Sequence, residues 1–289
     1  MIVECVPNIS EGRDRLVVSG IARAIGETPH VRLLDTTSDQ DHNRTVLTFA
    51  GTPDGVAEAA FEAVRVAAGT IDITRHSGVH PRLGAADVVP FVPIDAISLH
   101  DCATIARAVG QRIWNELAVP VYLYEAAALR PECRRLENVR KLAPEGLPPD
   151  FGTGRHPTAG ACVVGARKVL IAWNINLRSA DLEAARAIAR AVRESSGGLR
   201  AVKALGLRLE SRGEVQVSIN LVDFETTPLH AVYNAVSDEC RQRGLDIEGS
   251  ELIGMIPAAA LEASRGHELH WLNLRPELVL ENCLRGANG

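Results

Sequence analysis

Two imidazoles and two guanidiniums fall within eight residues of this chain, in the run Arg75-His76-Ser77-Gly78-Val79-His80-Pro81-Arg82, which leads through Leu83-Gly84 into Ala85-Ala86-Asp87. An imidazole titrates near neutral pH and can give or take a proton, and a guanidinium can hold a carboxylate or phosphate. The backbone of this run is constrained. Gly78 and Gly84 permit angles that other residues avoid, while Pro81 fixes its own φ and biases His80 toward an extended conformation. His76 and His80 would share one face if the run were helical, as in zinc-binding helices. Ser77-Gly78 between them and Pro81 after them argue against that helix. A rigid loop presenting His80 amid positive charge suits acid–base work on an anionic substrate. The same residues also permit a plainer reading, a surface loop whose polar groups satisfy one another.

A second stretch stands out for its lack of pattern. Ala143 to Gly160 holds four prolines, with Gly152, Gly154 and Gly160 near Arg155 and His156. A long aperiodic loop inside a globular chain is usually functional or disordered. It lacks the G-x-G-x-x-G or G-K-[ST] context of a phosphate loop, so nucleotide binding has little support. His42 and His76 could join His80 around a metal, but no carboxylate or thiol sits at supporting spacing, and no metal is expected.

The elements that must position these residues can be read from periodicity. Residues 2–6 form a short strand, and a helix over 14–25 carries Val17, Ile21 and Ile25 on one face. Val31 to Thr36 and Arg44 to Gly51 are strands joined by the polar loop 38–43. Pro53 opens a helix with Val56, Ala60, Val64 and Ala67 as its apolar stripe. Asp87 to Ile94 is a strand whose Pro90 and Pro93 place it at a sheet edge, because proline cannot donate to a ladder. The order is β-α-β-β-α-β. It recurs as a strand at 169–176, a helix at 180–194, a hairpin of 200–210 with 214–223, a helix at 228–243 and a closing strand at 245–255. Between the copies lie a helix at 101–117, a strand at 120–124 and a basic helix at 134–141. The fold class expected is α+β, two ferredoxin-like subdomains at 1–169 and 170–289, each a four-stranded sheet with helices on one face.

Composition narrows the function classes. The 289 residues carry a net charge of −5, which gives no nucleic-acid footprint. Six scattered cysteines without a C-x-x-C pair suit a reducing compartment. The N-terminus lacks the pattern of a signal peptide and no apolar run is long enough to span a membrane, so a cytoplasmic protein is expected.

Several pieces together resemble glutamate formiminotransferase, the folate-dependent enzyme family of histidine breakdown. They are V-E-C-V-P-N-I-S-E-G at 3–12, H-N-R-T-V at 42–46, I-D-I-T-R-H-S-G-V-H-P-R-L-G-A-A-D-V at 71–88, V-P-V-Y-L-Y-E at 119–125, H-P-T-A-G at 156–160, V-G-A-R-K at 164–168, I-A-W-N-I-N-L at 171–177 and G-S-E-L-I-G at 249–254. They run in family order over nearly the whole chain, which resembles the short bacterial members without a cyclodeaminase domain.

The resemblance implies transfer of a formimino group from N-formiminoglutamate to N5 of tetrahydrofolate, the co-substrate. It implies His80 as the catalytic histidine, and a folate-contacting segment of Gly152, Thr153, Gly154, Arg155, His156, Pro157, Thr158, Ala159 and Gly160. It also implies a groove between two ferredoxin-like subdomains and a homodimer. Arg44, Arg75 and Arg82 become candidates for the carboxylates of donor and folate, and Asp39 with Asp41 for the positive amidinium; a structural role stays open for each. Trp173 and Tyr124 could stack on the pterin or simply pack in the core. One departure concerns the motif itself. The family's H-H-G-E-H-P-R is here His76-Ser77-Gly78-Val79-His80-Pro81-Arg82, without the Glu that could tune the imidazole or hold the formiminium. Two alternatives follow: a folate enzyme using another one-carbon donor such as formiminoglycine, or a non-catalytic folate-binding protein.

Overall fold

Ile2–Cys5 (β1) and Asn8–Ile9 (β2) are one strand broken at Val6-Pro7, and both halves pair antiparallel with the same two neighbours. The structure is a computed structural model in which residues 1–78 and 81–285 are described. It divides into two compact units, residues 1–168 and 169–289.

In the first unit the broken strand leads to helix α1 (Arg15–Gly26), strands β3 (Val31–Asp39) and β4 (Arg44–Gly51), helix α2 (Pro53–Thr70) and strand β5 (Ala86–Asp95). The Asp14 side chain caps α1 by accepting the Leu16 and Val17 N–H groups, and Thr52 caps α2, where Pro53 occupies the first turn. Helix α3 (Leu99–Leu117) begins with a capping box between Ser98 and Asp101. Strand β6 (Val121–Glu125), helix α4 (Leu136–Leu142) and strand β7 (Cys162–Ala166) follow.

Strand β4 lies between β3 and β1/β2, and β5 pairs with β1/β2 on their other side, all antiparallel. Beyond β5 the sheet continues through β7 and β6 as parallel neighbours, giving seven strands. The expectation of a four-stranded sheet with helices on one face is corrected here. Alternation along β6 sends Val121 and Leu123 to the core beneath α1, α2 and α3, and Tyr122 and Tyr124 to a second cluster with Cys133, Val139 and Leu147. The segment 131–147 thus covers the opposite face at this end of the sheet, and the Tyr122 hydroxyl donates to the Leu147 carbonyl (3.1 Å).

Strand β5 is interior, not at an edge. Val6 N–H reaches the Pro90 carbonyl (3.3 Å), and the donor Pro90 lacks would point the same way, into the break between β1 and β2. One pleat on, Arg167 N–H meets the Phe91 carbonyl (3.1 Å) from the other side, and the pairing with β7 stops at Phe91. The donor missing at Pro93 therefore falls past the end of β7. Both prolines sit where the ladder asks nothing of them.

The second unit runs β8 (Ile171–Leu177), α5 (Leu182–Val192), β9 (Val202–Leu209), β10 (Glu214–Leu221), α6 (Leu229–Gln242) and β11 (Ile247–Ile253), then α7 (Ala258–Glu262) and α8 (Leu280–Arg285). Its four strands are antiparallel in the order β11-β8-β10-β9. The first, second, third and fourth strands of each β-α-β-β-α-β run thus take the same places in both units. Ile171, Trp173, Ile175 and Leu177 share one core with Ile188 and Val192 of α5 and Val232 and Val236 of α6. Each such buried aliphatic contributes on the order of 2 kcal/mol. Trp173 stacks on Tyr233 (6.3 Å) and touches Trp271 (5.4 Å), and Tyr124 is 3% exposed, so both residues considered for a pterin are core residues.

Candidate functional site

Backbone hydrogen bonds zip the two unusual stretches of sequence together. Ile73 N–H donates to the Thr158 carbonyl (2.8 Å), Ala85 N–H to Ala159 (2.9 Å) and Ala161 N–H to Leu83 (3.1 Å). The approach is close enough to require glycine. A Cβ on Gly84 would lie 2.2 Å from the Ala161 carbonyl oxygen, and one on Gly160, whose φ is +71°, 2.4 Å from that of Leu83. Between the two stretches lies a cavity of about 650 Å³, a size suited to a small molecule. His76, Arg82, Arg155 and His156 supply its charged and titratable lining among the described residues, with no carboxylate among them. Val79 and His80, the residue expected to be catalytic, lie outside the described residues.

Hydrogen bonds constrain both imidazoles of the lining. His76 Nε2 lies 3.0 Å from the Asn43 carbonyl, and Arg82 Nη1 contacts both ring nitrogens, Nδ1 and, at 2.7 Å, Nε2. A guanidinium has no acceptor, so a ring nitrogen must receive its proton, which favours the neutral imidazole over the imidazolium. Burial, and then the Arg82 charge, lower the His76 pKa in the same sense. His156 Nδ1 accepts the Ala159 N–H (3.0 Å) and the Thr158 N–H (3.3 Å), which leaves its proton on Nε2. Arg82 Nη2 donates to the His42 carbonyl (3.1 Å).

Asp39, Arg44, Arg75, Gly152, Thr153 and Gly154 fall outside the lining. Asp39 ends β3, where its Oδ1 accepts the His42 N–H (2.8 Å) and its backbone pairs with Arg44, so it braces the β3–β4 turn. Arg44 is drawn down to about 10 by burial and by Arg140, with Asp87 and Asp39 opposing, and it stays charged at neutral pH. Arg75 is exposed at the end of a short 3-10 turn. Gly152 (φ +91°) passes against the Trp114 ring, where a Cβ would lie 2.4 Å from it, and Thr153 and Gly154 are exposed. Arg155 is exposed, with Glu145 at 3.9 Å.

Two residues that sequence reading did not single out organise the site. Asn43, at φ +45°, accepts the Gly12 N–H through Oδ1 (2.9 Å) and donates through Nδ2 to the Ser77 carbonyl (3.0 Å). It joins three of the family-like segments at one point. The other is Asp87, whose carboxylate accepts the Leu83 N–H (2.6 Å). The only sequence signal for either was membership in the H-N-R-T-V and G-A-A-D-V runs.

With the fold and site in view, comparison with known proteins places the chain. The formiminotransferase domain, N-terminal subdomain, matches residues 2–167, and the formiminotransferase domain matches residues 172–273. The chain belongs to the formiminotransferase family. It is 44% identical over 270 residues to a glutamate formimidoyltransferase of Streptococcus pyogenes serotype M1, covering 90% of each chain. It is 41% identical over 271 residues to one from Thermoplasma acidophilum, covering 90% of this chain and 89% of the other. A mouse formimidoyltransferase-cyclodeaminase is 45% identical over 276 residues, and the match spans 51% of that longer protein.

Proposed function

We propose that this chain is a glutamate formimidoyltransferase that moves the formimino group of N-formiminoglutamate to N5 of tetrahydrofolate in histidine degradation. The observation that carries this reading is the cavity between the 73–84 and 155–160 segments, lined by two guanidiniums and two imidazoles. Donor and folate both carry carboxylates, and Arg82 and Arg155 match them in charge and shape. The family membership and the names of the relatives support the same reaction.

In the reaction, N5 of the folate attacks the formimino carbon to give a tetrahedral intermediate. The new C–N bond forms as N5 loses its proton, and the glutamate nitrogen departs with a proton. His80 is assigned both transfers, a role worth about 10²–10⁴-fold in rate. The described imidazoles suit it less. His156 commits Nδ1 as an acceptor, and both nitrogens of His76 are already engaged by Arg82 and the Asn43 carbonyl. The segment Gly152–Gly160 is assigned to the folate.

Finer features belong to the same proposal. The shared strand order supports two ferredoxin-like subdomains, the first extended by β6 and β7. A homodimer rests on the family resemblance and is tested by sedimentation velocity, and a cytoplasmic location rests on the scattered cysteines and the N-terminal pattern. The function itself is tested by a donor screen with tetrahydrofolate, read as absorbance of the methenyl product after acid treatment. Turnover of formiminoglutamate is expected. Turnover of formiminoglycine in its place would move the assignment to another donor, and folate binding without turnover of any donor would reduce the protein to a folate binder.

A further inference from the structure

Asp87 is 1% exposed at the start of β5, immediately after the loop that carries the cavity's histidine and arginine. Its Oδ1 accepts the Leu83 N–H (2.6 Å), so it grips the chain one residue beyond Arg82. Its Oδ2 accepts from Arg140 Nη2 on α4, and this ion pair is largely withdrawn from solvent, with the Arg140 side chain 18% exposed. The carboxylate therefore fastens the loop to a helix packed on the opposite side of the sheet from α1, α2 and α3. The same charge opposes the depression of Arg44 and of Arg82. One buried anion serves three guanidiniums, and one of these lines the cavity.

A buried carboxylate is costly unless its hydrogen bonds and charge are answered, and Asp87 has both answered by groups that converge on the site. We propose that Asp87, clamped by Arg140, is a positioning residue for the reaction: it holds Leu83, and through it Arg82, at the depth where Arg82 meets His76 and the cavity. It touches no substrate. Its effect is expected on turnover, where a displacement of about 1 Å can cost about 100-fold.

The test compares Asp87→Asn, Arg140→Met and Arg140→Lys with the parent, using Val56→Ala in the α2 core as a control for lost stability. This inference rests on the proposed function, so two independent readouts are needed. The first is steady-state kinetics with formiminoglutamate and tetrahydrofolate. Asp87→Asn and Arg140→Met are expected to lower kcat by about 10- to 100-fold with little change in either KM. Arg140→Lys should restore most of kcat, because an ammonium can still answer the carboxylate. The second readout needs no substrate: the rate of tryptic cleavage after Arg75 and Arg82 in the folded protein. It should rise in Asp87→Asn and Arg140→Met and stay at the parent's level in Val56→Ala. A kcat within about twofold of the parent, or a fall matched by Val56→Ala, overturns the proposal. If the parent turns over no formimino donor, the functional reading fails by itself. Unchanged cleavage would then still overturn the anchoring role, and accelerated cleavage would still support it.

Discussion

At the scale of single residues, the fold has already engaged some of the groups in the site. His76 is committed: its ring meets the Asn43 carbonyl and Arg82 Nη1 contacts both of its nitrogens, so protonating it would place two cations in contact. His80, assigned to catalysis by its motif, can be separated from it by mutation. His80→Asn is expected to lower turnover by about two to four orders of magnitude while folate affinity changes little, because the ring acts in the transition state. The parent's rate should rise with pH as the imidazole loses its proton. That ascending limb should vanish in His80→Asn and persist in His76→Asn. Val79→Glu should shift the limb upward, since a nearby carboxylate stabilises the imidazolium. An unchanged profile in His80→Asn would mean that the proton is carried elsewhere. In the sequence, His76 and Arg82 drew notice by residue type and spacing, and Arg155 and His156 through the aperiodic Gly/Pro stretch and the family resemblance. Asn43 and Asp87 were not, because they act through bonds no local spacing reveals: Asn43 reaches partners 31 and 34 positions away, and Asp87 an arginine 53 positions away.

At the scale of elements, the site depends on how closely two loops can approach, and glycine sets that distance. Gly84→Ala would push a Cβ to 2.2 Å from the Ala161 oxygen and 2.5 Å from that of Ala159, both backbone atoms that cannot swing aside. The loops must separate, at a cost of about 2–4 kcal/mol in stability, with a fall in kcat as Arg82 leaves its place. Ser98→Ala supplies the contrast. It removes the side-chain acceptor at the head of α3, should cost about 1 kcal/mol, and should leave kcat alone. Denaturant titration and kinetics on both variants check the pair, and equal kinetic losses would show that lost stability explains both. Helices α1 to α6 were legible because apolar stripes and helix-ending signals are local, whereas the short α7 and α8 were not read from the sequence. Strand β7 was not, since Cys162–Ala166 is only five residues, apolar on both faces and without the alternation that marks a half-buried strand. The edge expected for β5 rested on Pro90 and Pro93. The prolines were read correctly as non-donors, but an interior strand tolerates them where its neighbours are broken or have ended.

At the scale of the whole molecule, two units with separate cores need not respond alike to acid. His42 and His76 both belong to the first unit, and both are held below the ordinary value of 6.5, His42 by burial against the pull of Asp39, His76 by burial and then Arg82. The folded unit therefore resists protonation that the unfolded chain accepts. As pH falls below about 6.5 the unfolded state binds more protons, so stability drains away until the folded values are passed; above 6.5 the contribution is present in full. The loss should begin around the two residues: the β3–β4 turn, where the His42 backbone N–H donates to Asp39 and its carbonyl accepts from Arg82, and the segment of His76, whose ring meets the Asn43 carbonyl. Hydrogen exchange at pH 5.5 and 7.5, corrected for the intrinsic rate, should show protection falling at the β3–β4 turn and residues 73–78. Strands β8 and β10, in the middle of the second sheet, should keep theirs. Replacing both rings, as in His42→Asn with His76→Asn, should flatten the difference at the turn. If β8 and β10 lose protection in step with the turn, the acid response belongs to the chain as one cooperative body, and the two histidines are not its origin.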